Sequence, residues 1–315
     1  MSPATRPRRV EVTAHAKLNL GLAVGPARDD GFHELLTVFQ SVSLADTLVA
    51  ERTPRGFALR VTHEEAAVRG SQGAAARRAI GPAADNLVVR AARRVHEAFA
   101  LKGGARFALT KRIPAQAGMG GGSADAAAAI AAVLALHGVR LSLADRLAIG
   151  AELGSDVPFA LLGGTAIGRG RGDVLTPARL AGGLRAVVAV PAWRVSTAEA
   201  FRSIDSQKYG LTRWKRHLRF ATSLGRAEVT AFHAARLGNT FEEVLGHQRQ
   251  EFESLCARLR AAGLVQPRLT GSGSGVFGLV PAGVPPREIT GRFIGSEPLY
   301  VVRGTVKGLR LRKQS

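Results

Sequence analysis

Residues Lys111 to His137 read KRIPAQAGMGGGSADAAAAIAAVLALH, and the rest of the chain is interpreted outward from this stretch. Four glycines lie between Gly118 and Gly122, and each costs about 0.5–1 kcal/mol inside a helix or strand, so they predict a loop that comes close to a ligand. We expect Ser123 to cap the alanine-rich helix that follows, with Asp125 in its first turn. Because free N–H groups at a helix start bind anions, the stretch predicts a phosphate site.

The two common phosphate-binding fingerprints are absent from this loop. A Walker loop would end in Gly-Lys-Ser/Thr, but Ser123-Ala124 follows Gly122. A dinucleotide fingerprint would need a glycine five residues after Gly118, where Ser123 stands. A plain glycine-rich turn before a buried helix is therefore an open alternative, which the other segments of the chain must decide.

Length and composition indicate the class of protein. A chain of 315 residues suits two domains, and with only 5% aromatic residues its core has to be built from Ala, Val and Leu. The single cysteine, Cys256, excludes an internal disulfide and fits a reducing compartment. No signal peptide is recognised, and the longest apolar run, residues 126–136, is far shorter than the roughly 20 residues of a membrane span. We expect a soluble cytoplasmic protein.

The formal net charge of +20 predicts attraction to anions and carries no information about the fold. The basic residues form small, scattered clusters at 6–9, 77–78, 213–219 and 307–313. A nucleic-acid-binding protein would be expected to interleave aromatics with its basic residues, and only residues 213–216 do so. We therefore predict no specific nucleic-acid partner, and keep nucleic-acid binding as the least favoured alternative.

Hydrophobic periodicity predicts an α+β protein in two parts. Strands are expected at 9–22, 36–43, 47–51, 57–61, 107–111, 185–191, 276–280 and 299–306, with a basic tail after the last. Helices are expected from Asn86, from Ser123 to Gly138, from Leu141 to Leu153 with Ser142 as cap, over 198–204, and from Asn239 to Ala262. Residues 64–84 predict a loop with some helix, and residues 205–224 a basic segment without clear period. A boundary near the glycine-rich segment 163–172 gives parts 1–174 and 175–315.

Three segments together resemble the ordered motifs of the GHMP kinases, the superfamily of galactokinase and of homoserine, mevalonate and phosphomevalonate kinases. They are Ala14–Leu20 (AHAKLNL), the glycine loop Pro114–Ala126, and Leu269–Phe277 (LTGSGSGVF). The resemblance covers nearly the whole chain. It implies a two-domain α+β fold, with an N-terminal α/β domain that contains a left-handed βαβ crossover and a ferredoxin-like C-terminal domain. Connections of this kind are right-handed in about 98% of cases, so only the resemblance suggests the left hand.

Further segments resemble the branch of these kinases that acts on a cytidyl diphosphate derivative of methylerythritol, in the non-mevalonate isoprenoid pathway. They are Asp30–Leu35 (DGFHEL), Gly154–Phe159 (GSDVPF), Val195–Phe201 (VSTAEAF) and Asn239–Glu242 (NTFE). The resemblance implies transfer of the γ-phosphoryl group of ATP, with Mg²⁺, to the 2-hydroxyl of that acceptor. Another GHMP kinase acting on a sugar, homoserine or mevalonate is the main alternative.

The resemblance also implies which residues carry the chemistry. Asp156 matches the general base and Lys17 its partner, although a turn aspartate and a solvent-facing edge lysine are the plain alternatives. No acidic metal ligand is apparent, so Mg²⁺ is expected mainly on phosphate oxygens, with the Ser123 hydroxyl nearby. The residues implied for ATP binding are Pro114, Ala115, Gln116, Ala117, Gly118, Met119, Gly120, Gly121, Gly122, Ser123 and Ala124.

The residues implied for the acceptor come from both halves of the chain. By resemblance, His33 hydrogen-bonds the cytosine base, while Phe32 and Phe201 stack on its two faces, each stack contributing roughly 1–3 kcal/mol. Phe32 stands where many members have Tyr, which keeps the ring and loses a hydroxyl. From pattern alone, the two phenylalanines could be core residues and His33 a turn residue. The other implied acceptor residues are Asn19, Thr197, Gly271, Ser272 and Gly273.

Overall fold

The computed structural model describes residues 7–64, 85–206, 214–215, 217–218 and 229–314. Its strands are β1 (Arg9–Ala27), β2 (His33–Thr53), β3 (Phe57–His63), β4 (Gly104–Lys111), β5 (Thr165–Arg169), β6 (Val174–Ala178), β7 (Leu180–Ala181), β8 (Arg185–Ala189), β9 (Val229–Thr230), β10 (Val265–Leu269), β11 (Val276–Leu279), β12 (Leu299–Arg303) and β13 (Leu309–Gln314). Its helices are α1 (Leu87–Ala98), α2 (Gly121–His137), α3 (Leu143–Leu153), α4 (Val157–Leu162), α5 (Thr197–Ser206), α6 (Ala231–Ala235), α7 (Arg249–Ala261) and α8 (Pro286–Arg292).

The larger sheet is built on the long antiparallel pair β1 and β2. Its strand order is β13-β1-β2-β4-β3, and β5 pairs with β2 while β6 pairs with β5. Alternate apolar residues from Val10 to Leu20 are fully buried, as the period of two predicts. Strands β3 and β4 are parallel and are joined through α1, which makes them the crossover unit. The left hand expected for this crossover stays a prediction.

Helix α2 lies at the centre of the fold and packs against β1, β2, α1 and α4. Its residues from Ala126 to Ile130 are all fully buried, which is possible because alanine side chains are small enough for close packing on several sides. The flanking helices begin where they were predicted: Asn86 Oδ1 accepts the Val88 N–H at 2.9 Å, and Ser142, the predicted cap, accepts the Asp145 N–H through Oγ at 3.1 Å.

The second sheet has the strand order β10-β11-β8-β12 and is antiparallel throughout. Helices lie between β8 and β10 and between β11 and β12, so this half is a βαββαβ unit with the ferredoxin-like strand order that was predicted. One apolar core includes Leu18 of the first sheet together with Val188 and Phe277 of the second. The α+β fold is confirmed, while the domain boundary after residue 174 stays a prediction.

Four predictions about individual elements are wrong. Ser123 is not the N-cap of α2, because the helix already begins at Gly121 and Gly120 precedes it in the left-handed region (φ +70°). The helix predicted from Asn239 is two 3-10 turns (Thr240–Val244 and Gly246–Gln248) followed by α7, because Gly246 takes φ +55° and interrupts it.

The other two errors concern strands. The segments predicted at 36–43 and 47–51 are parts of one strand, β2, because the pairing with β1 continues on both sides of a register shift. The basic tail contains β13, which pairs with β1: Leu309 and Leu311 pack against the core while Arg310 and Arg312 are exposed. The predictions for 64–84 and for most of 205–224 fall outside the described residues.

Among the described residues, none of the helices is both long enough and apolar enough to cross a membrane.

The glycine loop touches the second half of the chain at Gly118, and this contact generates a test. A Cβ at Gly118, where φ is +67°, would lie 1.9 Å from the Thr270 carbonyl oxygen. A Cβ at Gly122 would meet only Leu87 Cδ1, at 3.5 Å. We expect Gly118→Ala to lower the free energy of unfolding by at least about 2 kcal/mol, from left-handed strain plus the clash. Gly122→Ala, inside the helix, is the matched control and should be neutral or slightly stabilising. Equal urea midpoints for the two variants would contradict this account.

Candidate active site

The three motif segments meet at one place in the structure. The Lys17 N–H donates to the Met119 carbonyl at 3.0 Å, which joins β1 to the glycine loop. Thr270 joins all three segments, because its hydroxyl donates to the Gly118 carbonyl at 3.2 Å and accepts the Asn19 N–H at 3.1 Å. The loop 270–275 between β10 and β11 is thereby fixed against the glycine loop.

A buried lysine and a half-exposed aspartate form the charged centre of this junction. Lys17 Nζ lies 3.3 Å from Asp156 Oδ2, with side-chain exposures of 8% and 32%. Asp156 precedes α4 without capping it, so its carboxylate is available to the lysine and to a ligand. The burial of Lys17 excludes the alternative of a solvent-facing lysine on an edge strand. A carboxylate that is open to a cavity beside an ammonium group has the chemistry of a proton acceptor.

Asn19 completes the centre from the same strand as Lys17. Its Oδ1 accepts from Lys17 Nζ at 2.5 Å, and its Nδ2 donates to the Thr37 hydroxyl at 2.8 Å. Thr37 in turn donates to the Gly21 carbonyl at 2.8 Å. This buried chain of hydrogen bonds fixes the lysine ammonium at one position beside Asp156.

A cavity of about 380 Å³ follows the glycine loop. Every residue from Ile113 to Ser123 lines it, together with Asn86, Leu87, Lys111 and Asp125, whereas Ala124 is buried behind it. No side chain caps the first N–H groups of α2, so they remain available to an anion. The geometry suits the phosphate site that the sequence predicts.

A second cavity, of about 760 Å³, lies on the other side of the loop. It brings together the two charged residues and most of the predicted acceptor residues: Lys17, Asn19, Asp156, Thr197, Phe201, Gly271, Ser272 and Gly273. Gln116, Gly118 and Gly120 line both cavities, so the glycine loop is their common wall. A further cavity of about 580 Å³, beside α7, reaches the glycine loop only at Ala115.

The predicted base-binding residues are only partly assembled. Phe201 lines the second cavity, and the His33 ring stacks on it with centroids 5.0 Å apart and planes 23° apart. Phe32 lies elsewhere: it is 51% exposed, and its ring is 4.9 Å from the Arg171 guanidinium carbon. The structure therefore brings His33 to Phe201 but not Phe32, whose stacking role stays a prediction.

Known proteins carry the same sequence pattern and fold. The family described as GHMP kinases N terminal domain matches residues 86–164. A protein of Solibacter usitatus (strain Ellin6076), named 4-diphosphocytidyl-2-C-methyl-D-erythritol kinase, is 40% identical over 280 residues, which cover 86% of this chain and 81% of that protein. The chain belongs to this family of GHMP kinases.

Solved structures agree with this assignment. A crystal structure of 4-(cytidine 5'-diphospho)-2C-methyl-D-erythritol kinase is 34% identical to the kinase, with a TM-score of 0.70, covering 94% of this chain and 99% of that one. A homoserine kinase of Cytophaga hutchinsonii is 18% identical, with a TM-score of 0.69 and coverage of 99% and 100%, which shows the shared fold alone. ATP is the phosphate donor of GHMP kinases.

Sequence reasoning missed a buried charged cluster at the base of the kinase's glycine loop. Lys111 Nζ donates to Asp46 and, at 2.6 Å, to Asp125 Oδ2, and all three side chains are at most 7% exposed. Asp46 Oδ1 also accepts the backbone N–H groups of Arg112 and Ile113, at 2.5 and 2.9 Å. The cluster ties β2, β4 and α2 together directly beneath the loop. The available signal was an aspartate inside an apolar strand, at Leu44-Ala45-Asp46-Thr47-Leu48.

The cluster holds two carboxyl groups against one ammonium. Burial raises the pKa of Asp125 to about 8, because the attraction of Lys111 offsets desolvation only in part and Asp46 adds repulsion. Burial alone would lower the pKa of Lys111, but the two carboxylates outweigh it and raise that pKa. Asp125 Oδ1 is buried without a hydrogen-bond partner. We infer that Asp125 holds a proton in the folded kinase over much of the neutral range.

This assignment predicts how stability depends on pH. Because the folded-state pKa of Asp125 is raised above its ordinary value of 3.8, the folded state retains a proton that the unfolded chain has lost. The free energy of unfolding should therefore fall as pH rises from about 4 to about 8, by at most about 1.4 kcal/mol per pH unit from this group. Asp125→Asn should remove that slope, as measured by urea unfolding at pH 6, 7 and 8.

A second buried carboxyl sets the best pH window for this measurement. Burial also raises the pKa of Glu242, to about 7, although the Leu269 N–H that it accepts opposes the shift. Glu242 contributes a slope of the same sign in both proteins, and this slope levels off above pH 7. The difference between wild type and Asp125→Asn should be clearest between pH 7 and 8. Parallel stability curves for the two proteins there would refute the proton on Asp125.

Proposed function

We propose that this kinase transfers the γ-phosphoryl group of ATP to the 2-hydroxyl of 4-diphosphocytidyl-2-C-methyl-D-erythritol, a step of the non-mevalonate isoprenoid precursor pathway. The relatives named above support the reaction class and the acceptor. One observation carries the proposal in the structure: two cavities share the glycine-loop wall, and the Lys17–Asp156 pair lines the acceptor side of it. Phosphoryl transfer requires the phosphate donor and the acceptor hydroxyl to be bound side by side, as two adjoining cavities allow.

We assign Asp156 as the general base. Its carboxylate would take the proton of the acceptor hydroxyl as that oxygen attacks the γ-phosphorus, in line with the departing ADP oxygen. Lys17 would offer its ammonium to the same hydroxyl and to the transferring phosphoryl oxygens. Asn19 would keep the lysine in place through their 2.5 Å hydrogen bond. The uncapped N–H groups of α2 would receive the phosphates of ATP.

We include Mg²⁺ as a cofactor of the reaction. No group of three His, Cys, Asp or Glu side chains suited to a metal is found in the described part of the chain. The Ser123 hydroxyl lines the nucleotide cavity, which fits an ion held mainly by phosphate oxygens and water with one hydroxyl ligand from the protein. When bound, Mg²⁺ would neutralise charge on the β- and γ-phosphates. The cytoplasmic location and the absence of a specific nucleic-acid partner stay predictions.

Acceptor selectivity tests the proposed reaction directly. ATP consumption by the full chain should require the cytidyl diphosphate acceptor, with kcat/KM at least about 10³-fold above that for homoserine, mevalonate or galactose, because a site built for the nucleotide leaves polar groups unpaired with the others. The reaction without acceptor gives the background rate of hydrolysis. Comparable kcat/KM with any of the three small acceptors would reject the cytidyl acceptor as the substrate.

The assignment of Asp156 is tested by removing only its charge. Asp156→Asn should lower kcat by roughly 10²–10⁴, the usual contribution of a positioned base, and leave the Kd for ATP within a few-fold. Single-turnover kinetics with saturating substrates should show the same loss. Asp145→Asn changes an exposed carboxylate in the first turn of α3 and should retain wild-type turnover. A wild-type kcat in Asp156→Asn would remove this residue from the mechanism.

A further inference from the structure

Helix α5 begins at the cavity of about 760 Å³, beside the loop 270–275, and ends next to the start of β2. Thr197, Phe201 and Asp205 are spaced by four residues and so lie along one face of the helix. The Thr197 and Ser272 hydroxyls are 2.7 Å apart, Phe201 stacks on His33, and Asp205 Oδ1 lies 2.7 Å from His33 Nε2. The helix is therefore attached at both ends, to the cavity-lining Ser272 at its start and to His33 at its end.

His33 is positioned by two contacts of different kinds. Its side chain is 7% exposed, its ring lies nearly parallel to Phe201, and Phe201 is itself fixed by an edge contact with Phe241 at 5.1 Å. The stacking fixes the plane of the imidazole but leaves open which nitrogen carries the proton. The carboxylate of Asp205 decides this, because it can only accept a hydrogen bond: Nε2 must carry the proton, and in the neutral ring Nδ1 becomes the acceptor.

Helix stability does not explain an aspartate at this position. Asp205 lies in the last turn of α5, where the helix dipole disfavours a negative charge, and its side chain is 54% exposed. Among the described residues, its carboxylate contacts His33 Nε2, over a sequence separation of 172 residues. This placement points to a role in holding the histidine.

We propose that Asp205 is a positioning residue for base selection: it holds His33 with Nδ1 as hydrogen-bond acceptor, which suits the exocyclic amino group of cytosine and not the carbonyl that uracil has there. Cytosine N4 donates hydrogen bonds, whereas the corresponding oxygen of uracil, like O4 of thymine, accepts them. The inference rests on the proposed function, since it concerns the base of the same acceptor. It assigns the preference to a residue that does not itself touch the base.

The test compares the affinities of the full chain for CMP and UMP, as competitive inhibitors against the acceptor and by calorimetry. Wild type should bind CMP at least about tenfold more tightly than UMP. Asp205→Ala should reduce this ratio about tenfold, mainly through weaker CMP binding, and raise KM for the acceptor with kcat and the Kd for ATP unchanged. Asp205→Glu, which keeps the carboxylate, should retain the ratio within about threefold. Arg202→Gln changes a charge on the same helix and should leave the ratio unaltered.

A double-mutant cycle separates positioning from a merely structural tie. In a His33→Ala background, Asp205→Ala should have no further effect on the CMP to UMP ratio. If Asp205 only attaches α5, its loss would weaken CMP and UMP equally, and an unchanged ratio would overturn the inference. If the wild type phosphorylates the cytidyl acceptor and prefers CMP, but Asp205→Ala has the same CMP to UMP ratio, this inference alone is refuted. A wild type without preference for CMP would refute the cytosine pocket and this inference with it.

Discussion

The active site depends on one close approach of two backbones. Gly118 lies so near Thr270 that no side chain fits between them, and a Cβ at Gly275 would also clash, 2.5 Å from the Ala117 carbonyl oxygen. Through these contacts the glycine loop and the loop 270–275 fix each other, and Lys17 is held by the Met119 carbonyl beside them. Glycine is required here because it has no side chain, and a Cβ at these positions would separate the two walls of the cavity. The catalytic geometry thus follows from backbone packing before any charged group is considered.

Around that contact the kinase buries several charges, and each is held by partners. Lys17 is held by Asn19 and Asp156, and Lys111 by Asp46 and Asp125. Burying an ion costs several kcal/mol unless a counter-charge and hydrogen bonds compensate, so a buried pair fixes the position of its groups without necessarily adding stability. The two lysines differ in their partners: Lys17 lies beside a half-exposed carboxylate, whereas both carboxyl groups beside Lys111 are buried.

Local sequence patterns predicted the secondary-structure elements well and the long-range contacts between them poorly. The long strand β1, the caps at Asn86 and Ser142, and the ferredoxin-like half follow from periodicity, turn chemistry and resemblance. The start of α2 was wrong because three successive glycines let the helix begin before the better cap at Ser123. The Lys111 cluster was missed because Asp46 and Lys111 are 65 residues apart, and no local period connects them.

The recognised motifs connect residues that are distant in the sequence and close in the structure. Residues from both halves of the chain line one cavity, as the three-motif resemblance implied. Two predicted residues do not line it: His33 stacks on Phe201 behind the cavity lining, and Phe32 packs on Arg171 of a neighbouring hairpin. A contact of this kind depends on how two loops pack, and neither loop has a sequence period from which the packing could be read. Sequence motifs therefore predict which segments form a site more reliably than they predict where the side chains at its edge lie.

The pairing of β13 with β1 has a consequence for synthesis in the cell. The two strands are 300 positions apart in the chain, from Arg9 to Leu309, yet they are neighbours in one sheet. At a translation rate of roughly 5–20 residues per second, β1, which carries Lys17, is synthesised roughly 15–60 s before its outer neighbour β13. During that time its unpaired edge can template the wrong contacts. The ribosome must therefore finish nearly all of both halves before the first sheet is complete, so folding of the catalytic strand ends late even though its residues are made first.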